Sequence, residues 1–199
     1  MSDIRYITKS EIPSIIDVHN KSFKNFFLTE LGPNFLYAYY DGIRKDIGGI
    51  LLGYFSDGKL YGFCAASLQS KGYNTTLIKN NIVRFSVVGF RILFSKPSAL
   101  IRLVKNLSKT QVKAKDDGDY AELFSIATVP EMQGKGIGRE LLIELEQDLK
   151  DKGVSKLSLT TDYYRNESTL AFYKKMGYGV LYEFNAYPDR KMYRLIKSL

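Results

Sequence analysis

The chain has 199 residues, 45% of them hydrophobic and 14% aromatic, which suits one globular domain or one domain with a large insertion. A single cysteine excludes an internal disulfide, and one cysteine with one histidine excludes a structural zinc site. The formal net charge of +8 favours anionic partners, a class that includes polyanionic cofactors, nucleic acid and anionic lipid. The polar first residues, MSDIRYITKSE, show no signal peptide, so we expect a cytoplasmic protein.

The first part of the chain predicts one strand and two helices. Residues 3–8 alternate apolar and polar side chains, which indicates a short strand. Ser10 precedes an acidic residue and a proline, as at many helix starts, and this helix is expected to run to about Lys24. A Gly-Pro pair interrupts the pattern, and a second, tyrosine-rich helix is expected from Asn34 to Ile43.

The rest of the chain alternates strands with helices. Two apolar runs are joined by Asp57-Gly58, the strongest short hairpin signal in the sequence. The alternation as a whole is typical of an α/β layered domain. The predicted strands are 49–56, 59–68, 120–129, 155–162, 178–187 and 190–197, and the predicted helices are one that ends at about 152 and one over 166–176.

Residues 70–118 do not follow this rhythm and form an insertion between the third and fourth strands. The run Ile82 to Phe94 is dense in apolar residues, and the run Ala99 to Leu107 is amphipathic at helical spacing. The insertion carries ten lysines and arginines and no acidic residue before Asp116, so it accounts for the excess positive charge of the chain.

Three interpretations of this insertion stay open. It packs on the domain as a helical pair with its basic side chains in water, or forms a lid over an acceptor pocket, or makes peripheral contact with an anionic membrane. It cannot span a bilayer, because the apolar run is about 13 residues with two arginines inside and a span needs roughly 20. We expect no nucleic acid partner, because the sequence has no binding motif beyond its charge.

The stretch QGKGIG, Gln133 to Gly138, follows a predicted strand and opens a helix. It fits neither the P-loop pattern nor the dinucleotide fingerprint G-x-G-x-x-G. Its glycines let the backbone approach a ligand closely, and the free N–H groups and dipole of the helix N-terminus favour a diphosphate. A tight strand-to-helix turn without a ligand is the alternative that these residues leave open.

A second motif, NESTLAFYKKMGY from Asn166 to Tyr178, places an asparagine ahead of a small residue and an aromatic pair near a helix end. With QGKGIG, which matches the pattern Q/R-x-x-G-x-G/A, it resembles the GNAT superfamily of acetyl-CoA-dependent N-acetyltransferases. The resemblance is clear over about residues 120–185. It implies one α/β domain over 1–199 with a mixed, splayed central sheet of about seven strands flanked by helices, and with 70–118 as a basic helical insertion.

The resemblance also implies that the chain binds acetyl-CoA and uses no metal. The pantetheine arm would lie along the open edge of a strand at Ile126 to Thr128, where backbone N–H groups would polarise the thioester carbonyl. Asn166 would donate or accept a hydrogen bond with the pantetheine, or serve only as a helix N-cap. The implied acetyl-CoA contacts are Ile126, Ala127, Thr128, Gln133, Gly134, Lys135, Gly136, Ile137, Gly138, Arg139, Asn166, Phe172 and Tyr173.

Two residues are candidates for proton transfer. Tyr173 matches the general acid of the family and would give a proton to the departing thiolate, with packing against the cofactor arm as the alternative. Glu122, four residues before Ile126, is the candidate base for the acceptor amine, with a solvent-facing or ion-paired residue as the alternative. Asp162 and Asp119 are the other carboxylates that we consider for this role.

The acceptor is the least defined part of the prediction. Phe26, Tyr37 and Tyr40 are weak candidates for its pocket, and core packing is the alternative for each. We expect a primary amine of a small molecule, with an amino sugar as one option. A protein or peptide N-acetyltransferase and a non-catalytic acyl-CoA sensor or scaffold are the alternatives, and a homodimer stays open. We expect His19 at the surface or packed against neighbours, and Cys64 buried in its strand.

Overall fold

A computed structural model describes residues 2–24, 26–82, 85–86, 116–186 and 189–199. Within these ranges the strands are β1 Ser2–Tyr6, β2 Gly49–Ser56, β3 Lys59–Ser67, β4 Ala121–Thr128, β5 Lys156–Asp162, β6 Gly179–Ala186 and β7 Arg190–Ser198. The helices are α1 Ile12–Ser22, α2 Phe27–Glu30, α3 Pro33–Lys45, α4 Tyr73–Asn80, α5 Ile137–Asp151 and α6 Glu167–Lys175.

The strands form one mixed sheet in the order β1-β2-β3-β4-β5-β7-β6. Neighbouring strands of the described sheet run antiparallel except β4 and β5, which run parallel. This pair is short, because only Ala121–Leu123 lies in register with Leu157–Leu159. Beyond Leu123 the two strands separate, so the splayed seven-stranded sheet predicted from the sequence is confirmed.

The hairpin between β2 and β3 also forms where the sequence places it. Asp57 and Gly58 have φ of 49° and 74°, so both turn residues are left-handed. That geometry gives a two-residue turn whose twist matches the twist of the flanking strands, and Asn, Asp and Gly adopt it at the lowest cost. The hairpin fixes β3 against β2 and leaves its other edge for β4.

The core has two layers, one on each face of the sheet. Successive residues of a strand point to opposite faces, and the neighbours Phe63 and Cys64 of β3 are both fully buried. Phe63 packs into the layer beneath α1 and α3, and Cys64 packs into the layer beneath α5. The prediction that Cys64 is buried is therefore confirmed.

Helix α5 is fixed by an apolar stripe and by a glycine at each end. Leu141, Leu145 and Leu149 are fully buried at a spacing of four residues. Gly136 is the N-cap with φ of 88°, and Gly153, with φ of 77°, donates its N–H to Lys150 O after the last turn. This anchoring holds the N-terminus of α5 beside the end of β4.

The predicted elements differ from the structure at the end of the first helix and directly after it. The first helix ends at Ser22 rather than near Lys24, and the four-residue helix α2 follows it unpredicted. The insertion 70–118 includes helix α4, but most of the two segments expected over 82–94 and 99–107 lies outside the described residues. In the part of the chain that the structure describes, no helix is long and apolar enough to cross a membrane.

Candidate active site

A cavity of about 1090 Å³ opens where β4 and β5 separate. Its walls come from the turn before α5, the open edge of β4, the end of β5, helix α6 and the segment that joins α1 to α2. The predicted residues that line it are Phe26, Ile126, Thr128, Gln133, Gly134, Gly136, Ile137, Gly138, Arg139, Asn166, Phe172 and Tyr173.

One end of the cavity is the glycine turn at the start of α5. Gly134 and Gly136 have φ of 77° and 88°, a backbone region that favours glycine, so the turn itself requires them. Gly138 is different, because it lies in the first helical turn without a positive φ, and a Cβ there would meet no atom of the described residues within 4 Å apart from its own helix backbone and chain neighbours. A glycine in a helix costs about 1 kcal/mol relative to alanine, so protein packing does not account for Gly138.

The N-terminus of α5 around Gly138 has the features that an anion site requires. The first N–H groups of a helix lack partners within the helix, and its dipole places partial positive charge at this end. Arg139 on the same turn adds a cation to the cavity wall. Backbone donors, a cation and a glycine that leaves room for an oxyanion together meet the requirements of the diphosphate of acetyl-CoA.

The middle of the cavity is the open edge of β4. Phe124 is an extra residue in the ladder, since Leu123 pairs with Ala66 and Ser125 pairs with Ala65, and such a bulge bends the strand. Val129 N donates to Tyr61 O on the β3 side. Because backbone groups alternate along a strand, those of Ile126 and Thr128 face away from β3, into the gap left by β5.

Tyr173 lies on the opposite wall, in α6. Its side chain is 5% exposed and packs against Phe172 and Tyr178 at ring-centre distances of 5.1 and 5.6 Å. Burial raises the pKa of the Tyr173 phenol well above its ordinary value. The hydroxyl is therefore protonated at neutral pH, in the state that a proton donor requires.

Asn166 joins β5 to α6. It occupies the N-cap position of α6, but its side chain makes no capping hydrogen bond. Its Nδ2 donates instead to Thr161 Oγ1 at 2.5 Å and to Asp162 O at 3.0 Å. These bonds fix the side chain at the cavity wall with its carbonyl oxygen left to accept a hydrogen bond.

Glu122 is not among the described residues that line the cavity. Its Oε1 accepts a hydrogen bond from Arg194 Nη1 and its Oε2 accepts one from Ser70 Oγ, both at 2.5 Å. Both carboxylate oxygens are thus engaged by other groups, which is the ion-paired alternative considered from the sequence. This position does not favour Glu122 as the base.

Four other predicted residues also lie off the cavity wall. Ala127 points into the core layer beneath α1 and α3, so only its backbone borders the site. Tyr40 is fully buried in the same core layer, and Tyr37 packs against that layer. Both lie on α3, which packs on the sheet. Lys135 is exposed in the turn before α5, where its Nζ lies 3.3 Å from Met132 Sδ.

Asp162, one of the two other carboxylates considered from the sequence, also lines the cavity, and the structure adds residues that the sequence did not indicate as site residues. Asp162 and Arg190 form a two-point ion pair on the wall, and the Arg190 guanidinium lies 5.4 Å from the centre of the Phe26 ring. Phe23 and His19, from the last turns of α1, line the wall as well. No sequence signal separates Arg190, Phe23 and His19 from ordinary helix and strand positions, because the fold alone brings them together.

A splayed sheet with a glycine turn and an open strand edge beside the gap is the architecture of N-acetyltransferases, and comparison with solved structures agrees. The chain aligns over 100% of its length with the ribosomal-protein-S18-alanine N-acetyltransferase of Escherichia coli, at 15% identity, 94% coverage of that chain and a TM-score of 0.64. An N-acetyltransferase from Staphylococcus aureus Mu50 gives a TM-score of 0.65 at 14% identity, with 100% and 98% of the two chains covered. The PaiA N-acetyltransferase of Thermoplasma acidophilum, solved with coenzyme A, gives 0.57 at 17% identity, with 100% and 99% covered.

The chain belongs to the acetyltransferase (GNAT) family, whose sequence pattern it matches over residues 12–178. It is also 38% identical over 61 residues to the [ribosomal protein bS18]-alanine N-acetyltransferase of Escherichia coli K12. That match covers 31% of this chain and 40% of the relative, so it spans about two fifths of the relative's length. The chain thus belongs to a family of acetyltransferases, and one solved structure of the same fold is a complex with coenzyme A. Among the described residues, no group of three or more His, Cys, Asp or Glu is arranged to hold a metal ion.

Proposed function

We propose that this chain transfers an acetyl group directly from acetyl-CoA to the primary amine of a small molecule. The observation that carries the proposal is the continuity of one cavity, which runs from the glycine turn at Gly138, past the open edge at Ile126, to aromatic side chains at Phe23 and Phe26. A donor held at one end and an acceptor held at the other would meet at the middle of β4.

The donor end follows from the residues described above. The diphosphate would accept hydrogen bonds from the backbone at Gly136 and Gly138, with Arg139 beside it. The arm would run along Ile126 to Thr128 in place of the missing strand partner, within reach of Asn166. When bound, acetyl-CoA supplies an acetyl thioester, and the backbone N–H groups at this edge would stabilise negative charge on its carbonyl oxygen.

The chemistry requires two proton movements. The amine nitrogen forms a bond to the carbonyl carbon, the carbon–sulfur bond breaks, and the electron pair leaves on sulfur. Tyr173 would donate its phenol proton to that sulfur. The nitrogen must also lose a proton, and an alkylamine with a pKa of about 10 arrives mostly as ammonium at neutral pH, so a base assists.

We propose Asp162 for this second proton, in place of Glu122. Asp162 is the one carboxylate among the described residues that line the cavity, and it lies at the end of β5, where the gap opens. Both oxygens of Asp162 are held by Arg190, as both oxygens of Glu122 are held by Arg194 and Ser70, so its place on the cavity wall is what separates Asp162 from Glu122. To act as the base, Asp162 would exchange part of this ion pair for the acceptor amine. A carboxylate in this position would act on the amine directly or through one water.

The acceptor end is apolar and aromatic. Phe23, Phe26, Phe27 and Leu28 line it, and Arg190 beside Phe26 adds a cation. Flat aromatic surfaces and one guanidinium suit the ring of an amino sugar, which we propose as the acceptor class. A protein or peptide with an alanine acceptor is the second candidate, because a relative that is 38% identical over 61 residues is named a [ribosomal protein bS18]-alanine N-acetyltransferase.

A panel assay separates these functions. Thiol release from acetyl-CoA is followed with amino sugars, polyamines, aminoglycosides and a peptide that begins with alanine. The proposal expects the highest kcat/KM with an amino sugar, whereas a preference for the peptide supports the second candidate. Binding of acetyl-CoA in calorimetry with no turnover of any amine would favour the sensor alternative. Gly138→Glu is the matched negative control, since bulk and like charge would block the diphosphate.

A further inference from the structure

His19 lies on the cavity wall, and its two ring nitrogens differ in their contacts. Its Nδ1 lies 2.7 Å from Tyr40 Oη, and its Nε2 is buried and has no hydrogen-bond partner among the residues that the structure describes. The residue is 2% exposed and borders the cavity. Buried polar atoms in folded proteins are paired in the great majority of cases, so an orphan nitrogen beside a cavity indicates a missing ligand group.

The surroundings of His19 place it near the reaction centre. Ser22, one turn further along α1, donates its hydroxyl to Thr128 O at 3.0 Å, so the end of α1 is fastened to the end of β4. Burial raises the pKa of the Tyr40 phenol, and a hydrogen bond with the Ser125 side chain opposes that rise. His19, Tyr40 and Ser125 therefore form a chain that ends next to Ile126, where the acetyl group would lie.

The charge state of His19 suits an acceptor of hydrogen bonds. Burial lowers the pKa of the imidazole to about 4, so the ring is neutral at physiological pH. When Nδ1–H donates to Tyr40 Oη, the lone pair of Nε2 is left to accept. A primary amine brings N–H donors that need such a partner.

We propose that His19 Nε2 binds the acceptor amine by accepting one of its N–H groups. The bond would orient the nitrogen lone pair towards the thioester held at Ile126. Tyr40 would act as a positioning residue, because its hydroxyl lies 2.7 Å from Nδ1 and holds the imidazole ring in place. This inference rests on the proposed function, since it assigns a residue to the acceptor of that same reaction.

Kinetics of three variants test the inference. His19→Phe keeps an aromatic ring in the same space, and we expect kcat/KM for the amine to fall about ten-fold or more, since one hydrogen bond is lost. His19→Gln offers an amide oxygen near the position of Nε2 and should recover part of that loss. Tyr40→Phe should give a smaller loss. The KM for acetyl-CoA should stay within about two-fold in all three, which also shows that they fold.

A second measurement uses the fact that His19 is the only histidine of the chain. Nitrogen NMR of tag-free protein therefore shows a single imidazole, whose two shifts report which nitrogen carries the proton. The probe is the panel amine with the highest kcat/KM, added to protein saturated with coenzyme A. We expect an unprotonated Nε2 whose shift changes on addition of the amine, while the shift of Nδ1 stays nearly constant.

The outcomes separate the two proposals. If wild-type protein turns over an amine and His19→Phe matches it, or if the amine leaves the Nε2 shift unchanged, the role of His19 is overturned and the proposed function stands. If wild-type protein turns over no amine while it binds acetyl-CoA, the proposed function fails and the role of His19 fails with it. A selective loss in His19→Phe, with recovery in His19→Gln and a shift at Nε2, supports the inference.

Discussion

Arg194 Nη1 donates a hydrogen bond to Glu122 Oε1 at 2.5 Å, and this ion pair joins β7 to β4 across the sheet. Arg194 is 8% exposed and its Nε is buried without a hydrogen-bond partner in the described part of the chain, so Glu122 supplies its compensating charge. A buried ion pair costs desolvation when it forms, but removing one partner leaves an uncompensated charge in the interior. The ion pair therefore indicates that Glu122 stabilises the fold rather than acting in the cavity.

We predict that Glu122→Gln lowers the free energy of unfolding by about 2 to 4 kcal/mol. The kcat at saturating amine should fall by less than about three-fold, because loss of a base typically costs about 10²-fold or more. Urea unfolding and thiol release check the two parts. Asp119→Asn is the control, since Asp119 is exposed and should change neither quantity. A loss of kcat near 10²-fold in Glu122→Gln, at unchanged stability, would restore Glu122 as the base.

The glycine turn gives a prediction in which stability and affinity move in opposite directions. Gly138→Ala adds a Cβ that meets no atom of the described residues within 4 Å apart from its own helix backbone and chain neighbours, so the free protein should become more stable by about 0.5 kcal/mol. The same Cβ would occupy space that the diphosphate needs, and the Kd for acetyl-CoA should rise about ten-fold. Thermal unfolding and calorimetry measure the two effects. Normal binding by Gly138→Ala and by Gly138→Glu would mean that the diphosphate lies elsewhere.

Gly136→Ala is the matched comparison for this prediction. Gly136 has φ of 88°, a conformation in which an alanine is strained by about 1 to 2 kcal/mol. The variant should therefore be less stable than wild type, in contrast to Gly138→Ala. Opposite signs at two glycines two residues apart would distinguish a glycine that the turn requires from one that a ligand requires.

The structural features that the sequence predicted are those that residues close together in the chain determine. The turn at Asp57 and the four-residue spacing of leucines in α5 act within a few positions, so pattern alone sufficed. Helix α2 was missed because four residues are too short for a periodic signal. The sequence does not decide whether Tyr40 lines a pocket or lies in the core, because a tyrosine suits both environments. Only the packing of α3 on the sheet decides between the two positions.

In the candidate site, too, some features depend on residues close together in the chain and others on residues far apart. The contacts around Gly138 and Asn166 were indicated by contiguous motifs. The engagement of Glu122 depends on Arg194, 72 positions later, and the environment of His19 depends on Tyr40, 21 positions later. A single sequence holds no signal for such pairs, because their geometry exists only once the sheet is formed.

Tyr173→Phe tests the proton donor. The variant loses the phenol proton but keeps the buried ring, so we expect kcat to fall about ten- to hundred-fold with little change in the Kd for acetyl-CoA. Tyr178→Phe is the matched control, because it removes a phenol from the same core layer. The Tyr178 hydroxyl donates to Glu146 at 2.9 Å, and this variant should lose about 1 kcal/mol of stability without losing kcat. Equal turnover by Tyr173→Phe and wild type at every pH would remove Tyr173 from the mechanism.

From the buried imidazole of His19 we predict how the stability of the fold changes at acid pH, and this prediction does not depend on catalysis. Its pKa is about 4 in the folded chain and 6.5 in the unfolded chain, so the unfolded state binds more protons between these pH values. The free energy of unfolding should therefore fall as pH falls from 6.5, by about 2 kcal/mol at pH 5. His19→Phe should lack this component, which urea unfolding at several pH values measures.

A second titrating group, Glu11, sets the lower limit of the pH range in which the titration of His19 can be followed. The Arg5 guanidinium holds the pKa of the Glu11 carboxyl at about 2, against 4.5 in the unfolded chain, so the stability it contributes is lost only as pH falls below about 4.5. Between pH 6.5 and 5 the slope should thus depend on His19 and not on Glu11. We expect Glu11→Gln to keep the wild-type slope in this range, whereas His19→Phe flattens it. Equal slopes in wild type and His19→Phe would show that the imidazole is not held neutral by the fold.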